Sequence, residues 1–283
     1  MKRIFKNLML IGFATTLCVA CDKEEDDGII TKGTFTVAQG KKVYFSQGNL
    51  QYQASTNTWR FAEHQYDIVG ENYEKLSSSY DGWIDLFGYG TSGWNSDNHI
   101  YQPYSSYFWT YDLTGNYANA DWGVYNKISN GGNKAGLWRT LTYSEWYYLL
   151  FSRPHYANLY SKGRVDGIRG LILLPDDWQI SEKDKFTPNG KNWDTNDYTV
   201  TEWRKLEAKG AIFLPAAGKG TVSERLIMED RDETILTIDV NGQGYEGYYW
   251  SSTVWNYLSI YGELESRDSP FVCYSVRLVQ DVK

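Results

Sequence analysis

The sequence is poor in the residues that most site chemistry needs. It holds three cysteines and three histidines in 283 residues. Cys18 and Cys21 fall in the opening segment, so Cys273 is left without a partner and no disulfide framework can form. His64, His99 and His155 are far apart and show no H-x-x-x-H spacing, which speaks against zinc. There is no G-x-S-x-G elbow, phosphate-cradling glycine loop or dinucleotide fingerprint. After the first twenty residues no apolar run is long enough for a membrane helix. Positive charge is also short: the formal net charge is −7, which argues against nucleic acid or an anionic membrane surface as a partner. Asp and Glu are plentiful, but no spacing singles out a carboxylate pair of the glycosidase kind.

Aromatic residues are abundant. They make up 17% of the chain, with 12 Trp and 24 Tyr, while charged residues stay near average at 22%. Such a quantity of rings must form core, exposed binding surface, or both.

The first residues read as an address. Lys2, Arg3 and Lys6 precede an apolar run from Leu8 to Ala14, and then comes Leu17-Cys-Val-Ala-Cys21. A run this short followed by small residues is a secretory signal. Its end resembles the lipobox of bacterial lipoproteins, which makes Cys21 the acylated first residue of the mature chain. The usual leucine three places before that cysteine is here Cys18, with Leu17 one place further back; a plain secretory signal is the alternative. Removing residues 1–20 takes away Lys2, Arg3 and Lys6 and moves the charge from −7 to −10. Residues 21–33 form an acidic tether with nothing to bury. Its run Asp22-Lys-Glu-Glu-Asp-Asp27 resembles the surface-export signal of Bacteroidetes lipoproteins, although a generic polar spacer fits the same residues. The expected location is the outer membrane, facing the exterior, with the lipid as the sole membrane contact.

The stretch Gly136–Leu150 organises the body, residues 34–283, read as one domain. Thr142 and Glu145 stand at capping-box spacing, Leu141 and Trp146 at the staple positions, and Trp146, Leu149 and Leu150 share one face. The pattern recurs as Thr199-Val-Thr-Glu202-Trp203, with Tyr198 as the staple and Gly210 as a left-handed stop. An apolar strand run follows each helix, 170–175 and 210–215. Short aromatic and β-branched runs at 34–37, 42–46, 48–52 and 58–62 predict an antiparallel meander. Residues 82–94 pack four glycines among aromatics, a sign of tight turns, and 95–120 read as one long ordered loop. A strand is expected at 247–254. A last one, 271–279, is expected with Val272, Tyr274, Val276 and Leu278 on one face and Cys273 on the other as a small buried filler.

Four blocks occur in the order Trp138–Trp146, Phe213–Gly218, Tyr249–Thr253 and Ser275–Val279. In this they are similar to the repeated surface-lipoprotein domain of Bacteroidales, over about residues 33–283. More distantly they resemble the FISUMP-type major paralogous domain and the C-terminal domain of Legionella collagen-like adhesins. The resemblance implies an α+β, C-type-lectin-like fold of mostly antiparallel strands, two short capped helices and long ordered loops, related in outline to formylglycine-generating sulfatase-modifying enzymes. Those enzymes need an active-site cysteine pair, and Cys273 is all that remains here besides Cys21. The calcium-binding Glu-Pro-Asn or Gln-Pro-Asp and Trp-Asn-Asp motifs of sugar-binding C-type lectins are not reproduced either; the nearest segments are Gln102-Pro-Tyr104 and Asn192-Trp-Asp194. Asn192, Asp194 and Asp197 nonetheless supply oxygens within one loop that a calcium ion could use, against the plainer reading of an Asx-capped turn.

The expectation is a non-catalytic binding or adhesion module for a glycan or for an envelope or host protein. Trp94, Trp109, Tyr111, Trp255 and Tyr257 are the ligand-binding candidates, because each lies in a Gly-, Ser- or Asn-rich segment; packing under a loop is the alternative for each. No cofactor is expected beyond that calcium. A glycan-processing enzyme and a structural subunit of a fimbrial or envelope assembly are the competing readings.

Overall fold

The computed structural model describes residues 33–94, 102–105, 110–179, 181–228, 233–266 and 271–283. The signal, Cys21 and Trp109 lie outside the described residues. The two apolar runs become neighbouring strands, Ile168–Leu173 and Ile212–Pro215, paired antiparallel with Leu171 opposite Leu214. Side chains alternate across a strand, and here both faces are buried. Leu171, Leu173, Ile212 and Leu214 join the core cluster that contains Trp146. Ile172, Leu174 and Phe213 join the one that contains Trp203. Strand segments covered on both faces have no polar side to show, hence the uninterrupted apolar runs of these two. Tyr160–Val165 and Asp197–Tyr198 complete this sheet, the last strand being parallel to its neighbour.

A one-turn helix α1 (Trp122–Tyr125) precedes the two capped helices, α2 (Tyr143–Phe151) and α3 (Val200–Glu207). Both capping boxes are complete. Thr142 Oγ1 accepts the Glu145 N–H at 3.1 Å, and Glu145 Oε2 accepts the Thr142 N–H at 2.9 Å. Thr199 and Glu202 repeat this at 3.3 and 3.0 Å. Leu141 and Trp146 are buried in one cluster, while Tyr198 and Trp203 place their rings 6.2 Å apart. Gly210, at φ +101°, follows α3. The sequence echo is thus one packing solution used on opposite faces of one sheet.

The architecture is α+β with mostly antiparallel strands. It departs from the expected meander. Phe35–Ala38 and Lys41–Phe45 form one hairpin, and Leu50–Gln53 and Thr58–Phe61 form another in a different sheet. The C-terminal segment separates them: its Leu278 and Val276 carbonyls accept the Ser46 and Leu50 N–H groups, both at 2.9 Å. The expected last strand is likewise two strands. Val272–Tyr274 pairs with Lys219–Met228 and Phe87–Gly88, whereas Leu278–Asp281 lies between Lys41–Phe45 and Arg139–Thr140. All side chains from Val272 to Val279 are buried, so the segment has no solvent face; Cys273 is a buried filler as expected. A long hairpin of Lys219–Met228 with Glu233–Asn241 has no counterpart among the sequence expectations. The expected loop at 95–120 ends in a 3₁₀ helix, Gly115–Ala120.

The two capping boxes share a motif but not an environment. Glu145, 6% exposed, also accepts from both terminal nitrogens of Arg139, at 2.7 and 2.9 Å, and from Lys41 Nζ at 2.8 Å. Glu202 is more open and has Lys185 Nζ at 2.8 Å. Glu145→Ala removes the cap and one of the two carboxylates on Arg139, Asp281 remaining, and should cost about 2 kcal/mol. Glu202→Ala should cost clearly less. Urea unfolding of the two variants checks this, and equal losses would show that the cap alone matters.

Candidate functional site

The glycine-rich segment after Phe87–Gly88 turns through Gly90 and Gly93, at φ +75° and +83°. A side chain at either position would strain the backbone. Ser92, at the centre of this turn, donates through Oγ to the Asn119 carbonyl at 2.7 Å and accepts the Trp94 N–H at 3.2 Å. Asn126 Nδ2 donates to the Ser92 carbonyl at 2.8 Å. These bonds tie the turn to the end of α1. Asp121 caps that helix: its carboxylate accepts the Gly123 N–H at 3.0 Å and the Thr140 N–H at 2.8 Å.

The result is a groove of about 330 Å³, lined among others by Tyr52, Asn57, Ser92, Tyr104, Tyr125 and Asn126. Among the described lining residues none carries a charge. Tyr52 donates to Asn57 Oδ1 at 3.2 Å, and burial, with Tyr104 nearby, holds its phenol neutral far above the usual pKa. Tyr125 is 41% exposed. Phenol rings beside amides and hydroxyls offer flat apolar faces with donors and acceptors of both kinds, which suits a neutral polyol. The described lining contains neither a nucleophile–base pair nor paired carboxylates. A second cavity, about 360 Å³, is lined by Lys183, Lys185, Lys205 and Lys209 together with Asp184 and Glu202. There Lys209 pairs with Asp184 and Lys185 with Glu202.

The structure sorts the sequence candidates. Trp94 follows the groove residue Gly93 and packs half-buried on the large core cluster. Tyr111 is exposed and stacks on Tyr117, ring centroids 4.4 Å apart. Trp255 is half-buried at φ +57°, a left-handed conformation that costs a non-glycine residue about 1 kcal/mol or more. Its loop is held firmly enough to bear that cost. Ser252 N–H donates to the Leu141 carbonyl at 2.8 Å, Val254 N–H to Asp112 Oδ1 at 2.8 Å, and Tyr143 N–H to Thr253 Oγ1 at 3.0 Å. The Leu113 N–H also donates to the Ser252 carbonyl at 2.8 Å, so the segments carrying Tyr111 and Trp255 are neighbours.

Tyr257 is not a surface ring. It is 3% exposed because strand pairing sets it opposite Trp250. There it packs 4.8 Å from the Tyr274 ring and donates to Glu265 Oε2 at 2.8 Å. In the 192–197 loop, Asp194 and Asp197 both pair with Arg164, the latter at 3.2 Å, while Asn192 is exposed. A cation at these carboxylates would compete with that guanidinium. Among the described residues no three His, Cys, Asp or Glu side chains gather as a metal site. Sequence reasoning missed Tyr52, Asn57, Tyr125 and Asn126 and met Tyr104 only within the Gln102–Tyr104 segment; the five come from three separate segments and share no spacing.

Compared with models of protein families, with curated proteins and with solved structures, the chain matches none.

Asp121 supplies a pH test of the groove's support. Burial raises its pKa to about 6, against the lowering effect of its N–H donors and Arg139. The folded value lies above the ordinary 3.8, so Asp121's contribution to stability is complete below that value and is lost as pH rises through about 6. The loss should reach about 3 kcal/mol. Unfolding free energies of wild type and Asp121→Asn across this range should converge or cross in that direction. A pH-independent difference would show that the carboxyl titrates normally.

Proposed function

We propose that the chain is a non-catalytic binding module, carried on the outer face of the outer membrane by a lipid on Cys21, that takes a neutral glycan in the groove of Tyr52, Tyr104 and Tyr125. The observation that carries this reading is the lining itself: phenol rings, amides and hydroxyls, with no charged side chain among the described residues. The fold reading that accompanies it is a C-type-lectin-like domain of the Bacteroidales surface-lipoprotein kind. Two observations support that reading. The first and last described strands belong to one sheet, so the domain closes on its own beginning. The four sequence blocks behind the resemblance also meet: Ser252 N–H bonds Leu141, Tyr249 Oη donates to the Pro215 carbonyl at 2.8 Å, and Trp250 N–H donates to Ser275 at 3.0 Å. These blocks build scaffold, so the resemblance speaks for the fold and the ligand is argued from the groove.

Two measurements test this. The full-length chain, purified in detergent, should bind a neutral glycan class on an array, with little dependence on salt because no charge is involved. Tyr125→Ala should weaken that binding about tenfold or more without moving Tm, as for a ring at the centre of a contact. Trp94→Ala tests the ring that follows Gly93 of the groove, Trp255→Ala the half-buried ring of the 252–255 loop, and an EDTA arm calcium at Asn192, Asp194 and Asp197. A blank array, or full binding by Tyr125→Ala, would overturn the groove reading. Separately, Cys21→Ser should abolish acyl labelling and release the chain from membranes; continued membrane retention would sink the anchor.

A further inference from the structure

A second surface lies away from this groove, on the strands Tyr160–Val165 and Ile168–Leu173. Alternation along the first strand puts Tyr160, Lys162 and Arg164, all half-buried, on one face and the buried Ser161, Gly163 and Val165 on the other. The short turn Trp193–Asn196 is fastened to the same strand by the buried Asn196. Its Nδ2 donates to Ser161 Oγ at 2.8 Å and lies 3.0 Å from the Lys162 and Thr187 carbonyls. A Cβ on Gly163 would come within 2.6 Å of the Asn196 carbonyl, so the turn lies directly on the strand.

Trp193 is thereby held beside two basic side chains. Lys162 Nζ is 5.5 Å and the Arg169 guanidinium 5.6 Å from its ring centroid. Lys162 also lies 5.1 Å from the Tyr261 ring, and Arg169 4.9 Å from that of Tyr245. Trp193 and Tyr261 meet edge to face at 5.6 Å. Tyr245 is 61% and Tyr261 37% exposed. The order along the strip is ring, cation, ring, cation, ring.

The charges on this face are unevenly satisfied. Asp194 and Asp197 both reach Arg164, and Lys162 and Arg169 form no ion pair among the described residues. Two like charges stand over one indole in a chain whose net charge is −7. The rings attract and steady both cationic heads, which lowers the ordering cost of binding an anion. Arginine suits planar carboxylate or sulfate, and the exposed phenol faces suit sugar rings.

We propose that this strip binds an acidic polysaccharide, with its carboxylate or sulfate groups on Lys162 and Arg169 and its sugar rings against Tyr245 and Tyr261. This goes beyond the neutral groove and does not depend on it. Two cations neutralise few phosphates, whereas nucleic-acid affinity rests on many such contacts; the DNA arm of the test below decides between the two polyanions.

The test uses the full-length chain in detergent on immobilised polygalacturonate (carboxylate), heparin (sulfate), neutral dextran and single-stranded DNA. Retention is expected on at least one acidic polysaccharide and not on dextran, falling as salt rises. The double variant Lys162→Gln, Arg169→Gln should weaken it about tenfold or more at unchanged Tm. Tyr245→Ala, a change at an exposed ring that leaves charge alone, should weaken it as well. Tyr125→Ala should leave it intact, which separates this surface from the groove. Absence of retention on both acidic polymers would overturn the proposal, as would full retention by the double variant. So would DNA retention as strong as that on the polysaccharides, which would mean a general polyanion patch, or unchanged retention by Tyr245→Ala, which would mean charge without ring contact.

Discussion

The backbone groups of residues 272–281 find their partners in four different sheets, and the arrangement of the molecule follows from that. Val272 and Cys273 pair with Thr221 and Gly220, and Tyr274 with Phe87. Ser275 exchanges bonds with Tyr248 and Trp250, at 2.9 and 3.0 Å. The Val276 carbonyl takes the Leu50 N–H, and Leu278–Asp281 runs between the first hairpin and Arg139–Thr140. At the break stands Arg277, fully buried, with Asn49 Oδ1 and Gln65 Oε1 each 3.2 Å from its terminal nitrogens. Burial pushes its pKa down to about 10, with Tyr249 and Glu207 working the other way. A buried charge needs partners; here the two amide oxygens hold the terminal nitrogens, while Nε has no partner among the described residues. Gln65 also accepts the Phe213 N–H and donates to the Ala211 carbonyl, so the guanidinium links the C-terminal break to the doubly covered sheet.

That scaffold divides the aromatic residues by type. Trp122, Trp138, Trp146, Trp203 and Trp250 are among the largest fully buried side chains. The exposed aromatics among the described residues are tyrosines and Phe271. An indole buries more apolar area, whereas a phenol keeps its hydroxyl in water while its ring remains usable. The surface recognition proposed for this chain therefore rests on tyrosine: Tyr104 and Tyr125 in the groove, Tyr245 and Tyr261 on the strip. Trp94 and Trp255, half-buried, stand between these roles.

The groove and the strip differ in charge because their supports differ. The groove rests on side-chain amides and the buried Asp121, with its few polar contacts satisfied by neutral groups. On the strip, a turn pinned by Asn196 places an indole beside two cations while its own carboxylates reach a third. In both, a buried polar residue outside the contact surface sets where the rings stand.

What the sequence by itself determined was local. Thr142 with Glu145, Thr199 with Glu202, and Gly210 act within a few residues of themselves, so their roles were legible and the helices stand where those signals put them. The apolar runs at 170–175 and 210–215 announced strands buried on both faces. Only the tertiary structure decided which donors and acceptors would meet. Nothing local to Ser275–Arg277 marks a break, because it arises where carbonyls are claimed by Leu50 and Ser46 from more than 200 residues away. Tyr257 has the neighbours of a loop residue, yet strand pairing opposite Trp250 buries it. The groove and the strip each assemble from segments distant in the chain, and no spacing can record a proximity that exists only after the strands have chosen their partners.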